Sequence, residues 1–243
     1  MKGMIFAAGL GTRLSPLTDT LPKALVPVGG EPLLGHVLRK FRKAGLRDVV
    51  INVHPFPEQM EAWLAENRLP GMRIRLSYER EAPLETGGGI RHAAPLLAGC
   101  GKVLIHNVDI LSNLDLRRFC ADADPDALAT LVVSARETSR YLLFDDGMRL
   151  VGWTDLRTGE VRSPFPALDP AACRRYAFSG IHLLDERILA LMEPWPERFS
   201  ITDFYLSAAA DHVIRGYVPE DLRLLDVGKP AALADAENFL VSL

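Results

Sequence analysis

The sequence predicts an α/β protein of three layers, a mostly parallel but mixed central sheet between helices. Two observations carry that expectation. Short apolar runs alternate with amphipathic segments through the first half of the chain. Glycines or carboxylates stand where several of those apolar runs end. Strands separated by helices are joined by right-handed crossovers, and open α/β sheets hold ligands at the carboxyl ends of their strands.

Residues 3–7 read as a buried strand. Residues 32–44 form an amphipathic helix, with Leu34, Val37, Leu38 and Phe41 on one face and Arg39, Lys40, Arg42 and Lys43 largely on the other. Gly45 stops it, and residues 48–53 are a continuous apolar strand. A helix over 57–67 precedes a half-buried strand over 73–78, in which Ile74, Leu76 and Tyr78 alternate. A helix over 89–98 and a strand over 102–106 complete the regular half. Beyond it, 127–134, 142–145 and 148–154 read as strands, with Asp145-Asp146-Gly147 as a turn. The stretch 155–175, rich in Pro, Gly and Arg, reads as an exposed loop. Residues 178–184 form a strand, and 201–215 a helix capped by Ser200 or Thr202 and ended by Gly216. A last strand over 222–227 and a helix over 230–240 close the chain. With no repeat or linker, residues 1–243 read as a single domain.

Composition bounds the function. At 48% apolar and 24% charged residues, the balance is that of an ordinary globular chain. A formal charge of −3 argues against a general nucleic-acid binder, which needs a basic face. Cys100, Cys120 and Cys173 are dispersed with no metal-ligand spacing, as suits reduced thiols in a cytoplasm. No stretch reaches the length of a membrane span. Residues 4–8 are too short for the apolar core of a signal peptide, so the expectation is a cytoplasmic protein with no membrane partner.

The most informative segment is the first. A short strand runs through Ala7 and Ala8 into Gly9-Leu10-Gly11-Thr12-Arg13-Leu14, and Pro22-Lys23 follows. Glycines at 9 and 11 permit positive φ and close backbone approach, so successive N–H groups can converge on a phosphate. Thr12 adds a hydroxyl, Arg13 a planar fork of donors and Lys23 a mobile point charge. A lone Gly-x-Gly is usually a tight turn, and the dinucleotide fingerprint fails because its third glycine would fall at Leu14. The longer run is more specific. Through Leu21-Pro22-Lys23-Ala24-Leu25-Val26-Pro27-Val28-Gly29 it resembles the signature of the sugar-1-phosphate nucleotidyltransferases, with Ala24 where these enzymes often carry Pro. The resemblance implies a Rossmann-like fold of the nucleotidyltransferase and glycosyltransferase-A type. Its nucleotide-binding half would span about 1–110 and its sugar-phosphate half about 111–243.

Two strands end in carboxylates. Asp109 closes Val103-Leu104-Ile105-His106-Asn107-Val108-Asp109, and Asp226 closes Leu224-Leu225-Asp226 before Val227-Gly228-Lys229. A lone strand-end aspartate is more often a cap or a surface group, yet Mg²⁺ needs only one or two protein carboxylates. The resemblance implies that Asp109 and Asp226 grip one Mg²⁺. Val108 departs from the family's Asn-Gly-Asp, Leu224 from its Trp and Lys229 from its Thr. Glu81 to Ile90 includes Leu84-Glu85-Thr86-Gly87-Gly88-Gly89, glycines against which a flat base can lie. This version is similar to that of the bacterial N-acetylmuramate-1-phosphate uridylyltransferases of cell-wall recycling; guanylyl and thymidylyl relatives commonly carry Leu-Gly-Thr-Ala-Gly.

From the resemblance, Ala8, Gly9, Gly11, Thr12, Arg13 and Lys23 are expected to bind the nucleotide, with Arg13 and Lys23 acting in catalysis. Glu79, Glu85 and Gly88 are expected at the base. Asn107, Ser179 and Gly180, the latter two from Phe178-Ser179-Gly180-Ile181-His182, are expected at the sugar phosphate. Ser139 and Arg140 precede another strand and approach it less securely. The partners are then a nucleoside triphosphate, UTP, and a sugar-1-phosphate, N-acetylmuramate-1-phosphate. The chain itself is expected to be a monomer or small homo-oligomer. Mannose-1-phosphate guanylyl transfer and phosphocholine cytidylyl transfer keep the fold and change the substrates. A non-catalytic nucleotide-sugar-binding subunit is a third reading; it has no need of Arg13, Lys23, Asp109 and Asp226 together. The chain shows no β-helix or acyltransferase extension, so a bifunctional enzyme is not expected.

Overall fold

The computed structural model describes all 243 residues. In chain order the first half holds β1 (Lys2–Phe6), β2 (Pro27–Val28), β3 (Glu31–Pro32), α1 (Leu33–Lys43), β4 (Asp48–Val53), α2 (Pro57–Glu66), β5 (Arg73–Tyr78), α3 (Glu85–Leu97) and β6 (Lys102–Asn107). Next come β7 (Ile110–Ser112), α4 (Leu116–Asp122), β8 (Ala129–Ser134), β9 (Arg140–Phe144), β10 (Leu150–Asp155) and β11 (Glu160–Arg162). The chain closes through β12 (Arg174–Asp185), α5 (Ile188–Met192), α6 (Ile201–Ala208), β13 (Ile214–Tyr217), β14 (Leu224–Asp226) and α7 (Pro230–Ser242).

β1 is central. It pairs in parallel with β4 on one side and β6 on the other, and β4 pairs in parallel with β5. The sheet then continues antiparallel from β6 into β12, which also pairs with β8 and β9. One mixed sheet therefore runs β11-β10-β9-β12-β6-β1-β4-β5 through both halves of the chain. One face is covered by α1, α4 and α7, which bring Leu34, Phe41, Phe119 and Ala236 into a shared core. The other is covered by α3, α5 and α6, with Ile90, Ile188, Phe204 and Tyr205. Each of the buried Leu, Ile and Phe side chains among them stabilises the fold by about 1.5–3 kcal/mol. No helix is long and apolar enough to cross a membrane, and the three cysteines are unpaired.

Two sequence expectations are corrected. The helix expected over 201–215 ends at Ala208, and Ile214–Tyr217 is a strand paired in parallel with β8. Leu128 donates to Val213 O and Gly216 to Met148 O, so pairing with distant chain overrides the local helical pattern. Gly216 thus belongs to a strand and stops no helix. The stretch 155–175 is not wholly loop either: β11 folds back on β10 in register Asp155↔Glu160, and Arg174 already begins β12. The cap of α6 is Ser200, whose hydroxyl accepts from Thr202 N.

Candidate active site

The carboxyl ends of β1, β4 and β6 meet at a cleft of about 200 Å³ lined by Ala8, Gly9, Lys23, Glu79, Glu85, Asn107 and Asp109, among others. A chain of hydrogen bonds spaces these strand ends. Ala7 N donates to Asn52 Oδ1 (2.8 Å), and Asn52 Nδ2 to Glu79 Oε1 (2.6 Å). Leu84 N donates to Glu79 Oε2 (2.7 Å). The buried Glu79 carboxylate therefore has both oxygens engaged in holding the 80–84 loop against β4. It lines the cleft with both oxygens engaged.

Past β1 the backbone turns at Gly11, whose φ of +67° is left-handed. A Cβ there would stand 2.9 Å from Thr18 Cγ2 and 3.2 Å from Lys23 Cβ, so glycine lets the loop close over the lysine. Thr18 Oγ1 donates to Gly11 O (2.8 Å), fixing the same corner. Thr12 and Arg13 follow in a short 3-10 turn with exposed side chains, anchored by the buried Leu14. Lys23, itself buried, is ion-paired with Asp109 Oδ2.

The ribbon β7–β14 brings in the second carboxylate. β14 pairs antiparallel with β7 in register Asp226↔Ile110, and Val227 N donates to Asp109 O (2.8 Å). Asp226 Oδ1 is buried without a hydrogen-bond partner. Burial pushes its carboxyl above the ordinary carboxylate range, and the negative charge of Asp109 adds to the push. Lys23, Arg13 and Arg136 oppose it. Arg13 and Asp226 flank Gly228, where a Cβ would meet Asp226 Oδ1 at 2.7 Å and Arg13 Nη2 at 2.8 Å. No group of three or more His, Cys, Asp or Glu side chains is placed to hold a metal. The donor set is thus two carboxylates, one with an orphaned oxygen, and it fits a hard cation completed by water and phosphate oxygens.

The expected residues divide. Ala8, Gly9, Lys23, Glu79, Glu85, Asn107 and Asp109 share the cleft. Gly11 shapes the loop, Arg13 approaches Asp226, and Thr12 stays exposed. Ser179 and Gly180 lie beneath: Ser179 is 1% exposed, and Gly180 backs directly onto Asn107. Gly180 backs Asn107, the buried Ser179 hydroxyl has no hydrogen-bond partner, and neither residue lines the cleft.

Gly88 is not among the residues lining the cleft. Gly87 N and Gly88 N both donate to Phe199 O (2.9 and 3.2 Å), and a Cβ on Gly88 would meet Glu197 O at 2.2 Å. These glycines admit the 197–199 backbone, leaving their amides unavailable to a base. The contact continues through Ile201 N to Thr86 Oγ1 (2.9 Å) and Arg198 to Glu85 (3.0 Å). Sequence reasoning missed Asn52 and Thr86. The available signal for Asn52 was a lone amide near the carboxyl end of the otherwise apolar 49–53 run. For Thr86 there was none, because its partner is remote in sequence.

The chain matches the Nucleotidyl transferase family profile over residues 2–242. It belongs to that family. It is 35% identical over 243 residues to the N-acetylmuramate alpha-1-phosphate uridylyltransferase of Caulobacter vibrioides, covering 98% of this chain and 96% of the relative. Against the Neisseria meningitidis serogroup B protein of the same description, identity is 44% over 115 residues, 47% of this chain and 49% of the relative. A UDP-glucose pyrophosphorylase complexed with UDP-glucose superposes with a TM-score of 0.80 at 17% identity, covering 100% of this chain and 99% of that one. That last likeness speaks for the fold. The chain is an enzyme, a sugar-1-phosphate nucleotidyltransferase on a Rossmann-like α/β fold.

Proposed function

We propose that this nucleotidyltransferase transfers UMP from UTP to N-acetylmuramate-1-phosphate in the presence of Mg²⁺, releasing pyrophosphate, a reaction of cell-wall recycling in the cytoplasm. The observation that carries the chemistry is the juxtaposition of Lys23, Asp109 and the orphaned oxygen of Asp226 at the cleft. Support for the substrates comes from the end-to-end likeness to a uridylyltransferase and from Glu85 in the segment beside the cleft.

The phosphate oxygen that attacks is already an anion at neutral pH, so the reaction needs no general base. Catalysis then consists of positioning and electrostatic stabilisation. Residues 1–110 hold the nucleotide: Ala8, Gly9 and the Gly11–Arg13 turn receive the β- and γ-phosphates, and Arg13 steadies the leaving pyrophosphate. Lys23 holds Asp109 in the free enzyme and turns its ammonium to the α-phosphate and the incoming phosphate when both are present. Asp109 and Asp226 would hold a Mg²⁺, which would supply neutralisation of charge on the triphosphate. Residues 111–243 contribute Asp226 and the strand that supports Asn107 beside the sugar phosphate. Glu85 narrows the base site through its pairing with Arg198.

Pyrophosphate release from UTP and N-acetylmuramate-1-phosphate tests this reading. The expected result is release that stops on chelation and returns with Mg²⁺. Release that persists through chelation removes Asp109 and Asp226 from the proposed metal role.

A further inference from the structure

A second cavity, of about 310 Å³, is lined by Arg136, Arg140 and Arg162 together with Tyr141, Trp153 and Phe178. The three guanidiniums differ in what surrounds them. Arg140 is paired with Asp155 (3.3 Å), which also takes Arg157. Arg162 is paired with Asp203 and lies 4.1 Å above the ring of Trp153. Arg136 has no carboxylate partner. Its one hydrogen bond runs from Nη2 to the backbone oxygen of Phe178 (3.2 Å). It therefore presents an exposed, unpaired positive charge to an otherwise neutralised pocket.

The pocket is joined to the cleft through two residues of β12 and the last residue of β6. Phe178 lines the pocket, Gly180 backs onto Asn107, and Asn107 lines the cleft. Two residues of chain span at most about 7 Å, and the left-handed Gly180 shortens that reach, so a sugar ring carrying a substituent can bridge the two sites. A sugar-1-phosphate must put its phosphate in the cleft with Lys23, so an anion seated in the second pocket is another group on the same sugar.

We infer that this pocket is the subsite for a carboxylate borne by the acceptor sugar, and that Arg136 selects acidic sugar phosphates over neutral ones. The inference rests on the proposed transfer to a sugar phosphate and deepens it. A guanidinium offers two parallel donors to a carboxylate, which a lysine at the same place does not. Tyr141, Trp153 and Phe178 supply flat apolar faces for the ring and its acyl group. N-acetylmuramate differs from N-acetylglucosamine by a lactyl ether that carries such a carboxylate.

The test compares wild type with Arg136→Met on N-acetylmuramate-1-phosphate and N-acetylglucosamine-1-phosphate, with UTP. Losing a charge-assisted pair predicts a fall in kcat/KM of roughly 10- to 100-fold on the acidic acceptor, with the neutral acceptor and the KM for UTP unchanged within about twofold. Arg136→Lys recovers only part of the loss. An equal fall on both acceptors overturns the inference, because Arg136 then acts on the phosphate common to them. Glucuronate-1-phosphate against glucose-1-phosphate separates this idea from the reading beneath it. A wild-type preference for glucuronate-1-phosphate with no turnover of N-acetylmuramate-1-phosphate, abolished by Arg136→Met, sinks the proposed acceptor and leaves Arg136 as the acid-reading residue.

Discussion

Lys23 and Asp109 are ion-paired across the cleft, joining the turn after the Gly11 corner to the turn that follows β6. Each is buried enough that its partner cannot be replaced freely by water. A charge held this way is already at the cleft when the triphosphate arrives, and the ammonium has only to turn from Asp109 to the phosphates to stabilise charge there. Lys23→Ala is expected to lower kcat by roughly 10²–10³-fold, the scale for one lost electrostatic group. Steady-state kinetics with both substrates varied checks this. An unchanged kcat with a raised KM shows that Lys23 contributes ground-state binding alone.

Asp226 combines a functional position with an unfavourable one, a carboxylate with a buried orphan oxygen and a carboxylate neighbour. Replacing it with a neutral isostere removes a charge that burial disfavours. Asp226→Asn is therefore expected to melt no lower than wild type in chelator while losing at least roughly 10²-fold in kcat. Thermal melts and turnover on the same preparations decide the matter. A variant that is less stable and still fully active contradicts both halves.

Gly180 has φ of +72°, and a Cβ there would stand 2.6 Å from Asn107 Nδ2. Left-handed backbone costs a non-glycine residue about 1–2 kcal/mol, which in a chain of this size lowers Tm by about 2–8 °C. Gly180→Ala should show that fall and raise the acceptor KM more than the UTP KM, because Asn107 is displaced. Equal effects on the two constants would detach Asn107 from the acceptor.

Two buried histidines set the response to acid. Burial pushes His106 down to about 4 and His182 to about 3. Both rings stay neutral in the fold while the unfolded chain takes up protons near the ordinary value of 6.5. Below that pH the unfolded state binds more protons, so stability intact above about 6.5 falls as the pH drops toward 4. Each ring removes at most about 1.4 kcal/mol per pH unit. Urea midpoints between pH 7.5 and 4.5 measure it, and His182→Gln should flatten the slope. A wild-type midpoint that does not move over this range is incompatible with two neutral buried rings.

Local pattern made part of the fold legible. Asp48–Val53 and Arg73–Tyr78 are strands with the bounds their apolar runs suggest, because side-chain periodicity and burial agree there. The glycine, lysine and carboxylate positions of the cleft were legible as motifs. What could not be read is what depends on contacts between remote segments. β7 has three residues and no periodicity, yet it aligns Asp226 with Asp109. β13 exists because β8 offers it a partner, and Gly88 is glycine because the 197–199 backbone passes over it. Arg136 belongs to no sequence motif, and only the fold sets it beside Phe178 of β12.

The central claim is the pairing of donor and acceptor, and kcat/KM for UTP and GTP, each with N-acetylmuramate-1-phosphate and mannose-1-phosphate, tests it most directly. Pocket shape separates similar bases by about 1–3 kcal/mol, so the expected preference for UTP is roughly 10- to 200-fold, with some turnover of GTP. N-acetylmuramate-1-phosphate should exceed mannose-1-phosphate with either base. A preference for GTP with mannose-1-phosphate contradicts the proposed substrates, and leaves a nucleotidyltransferase whose base and sugar must be assigned anew.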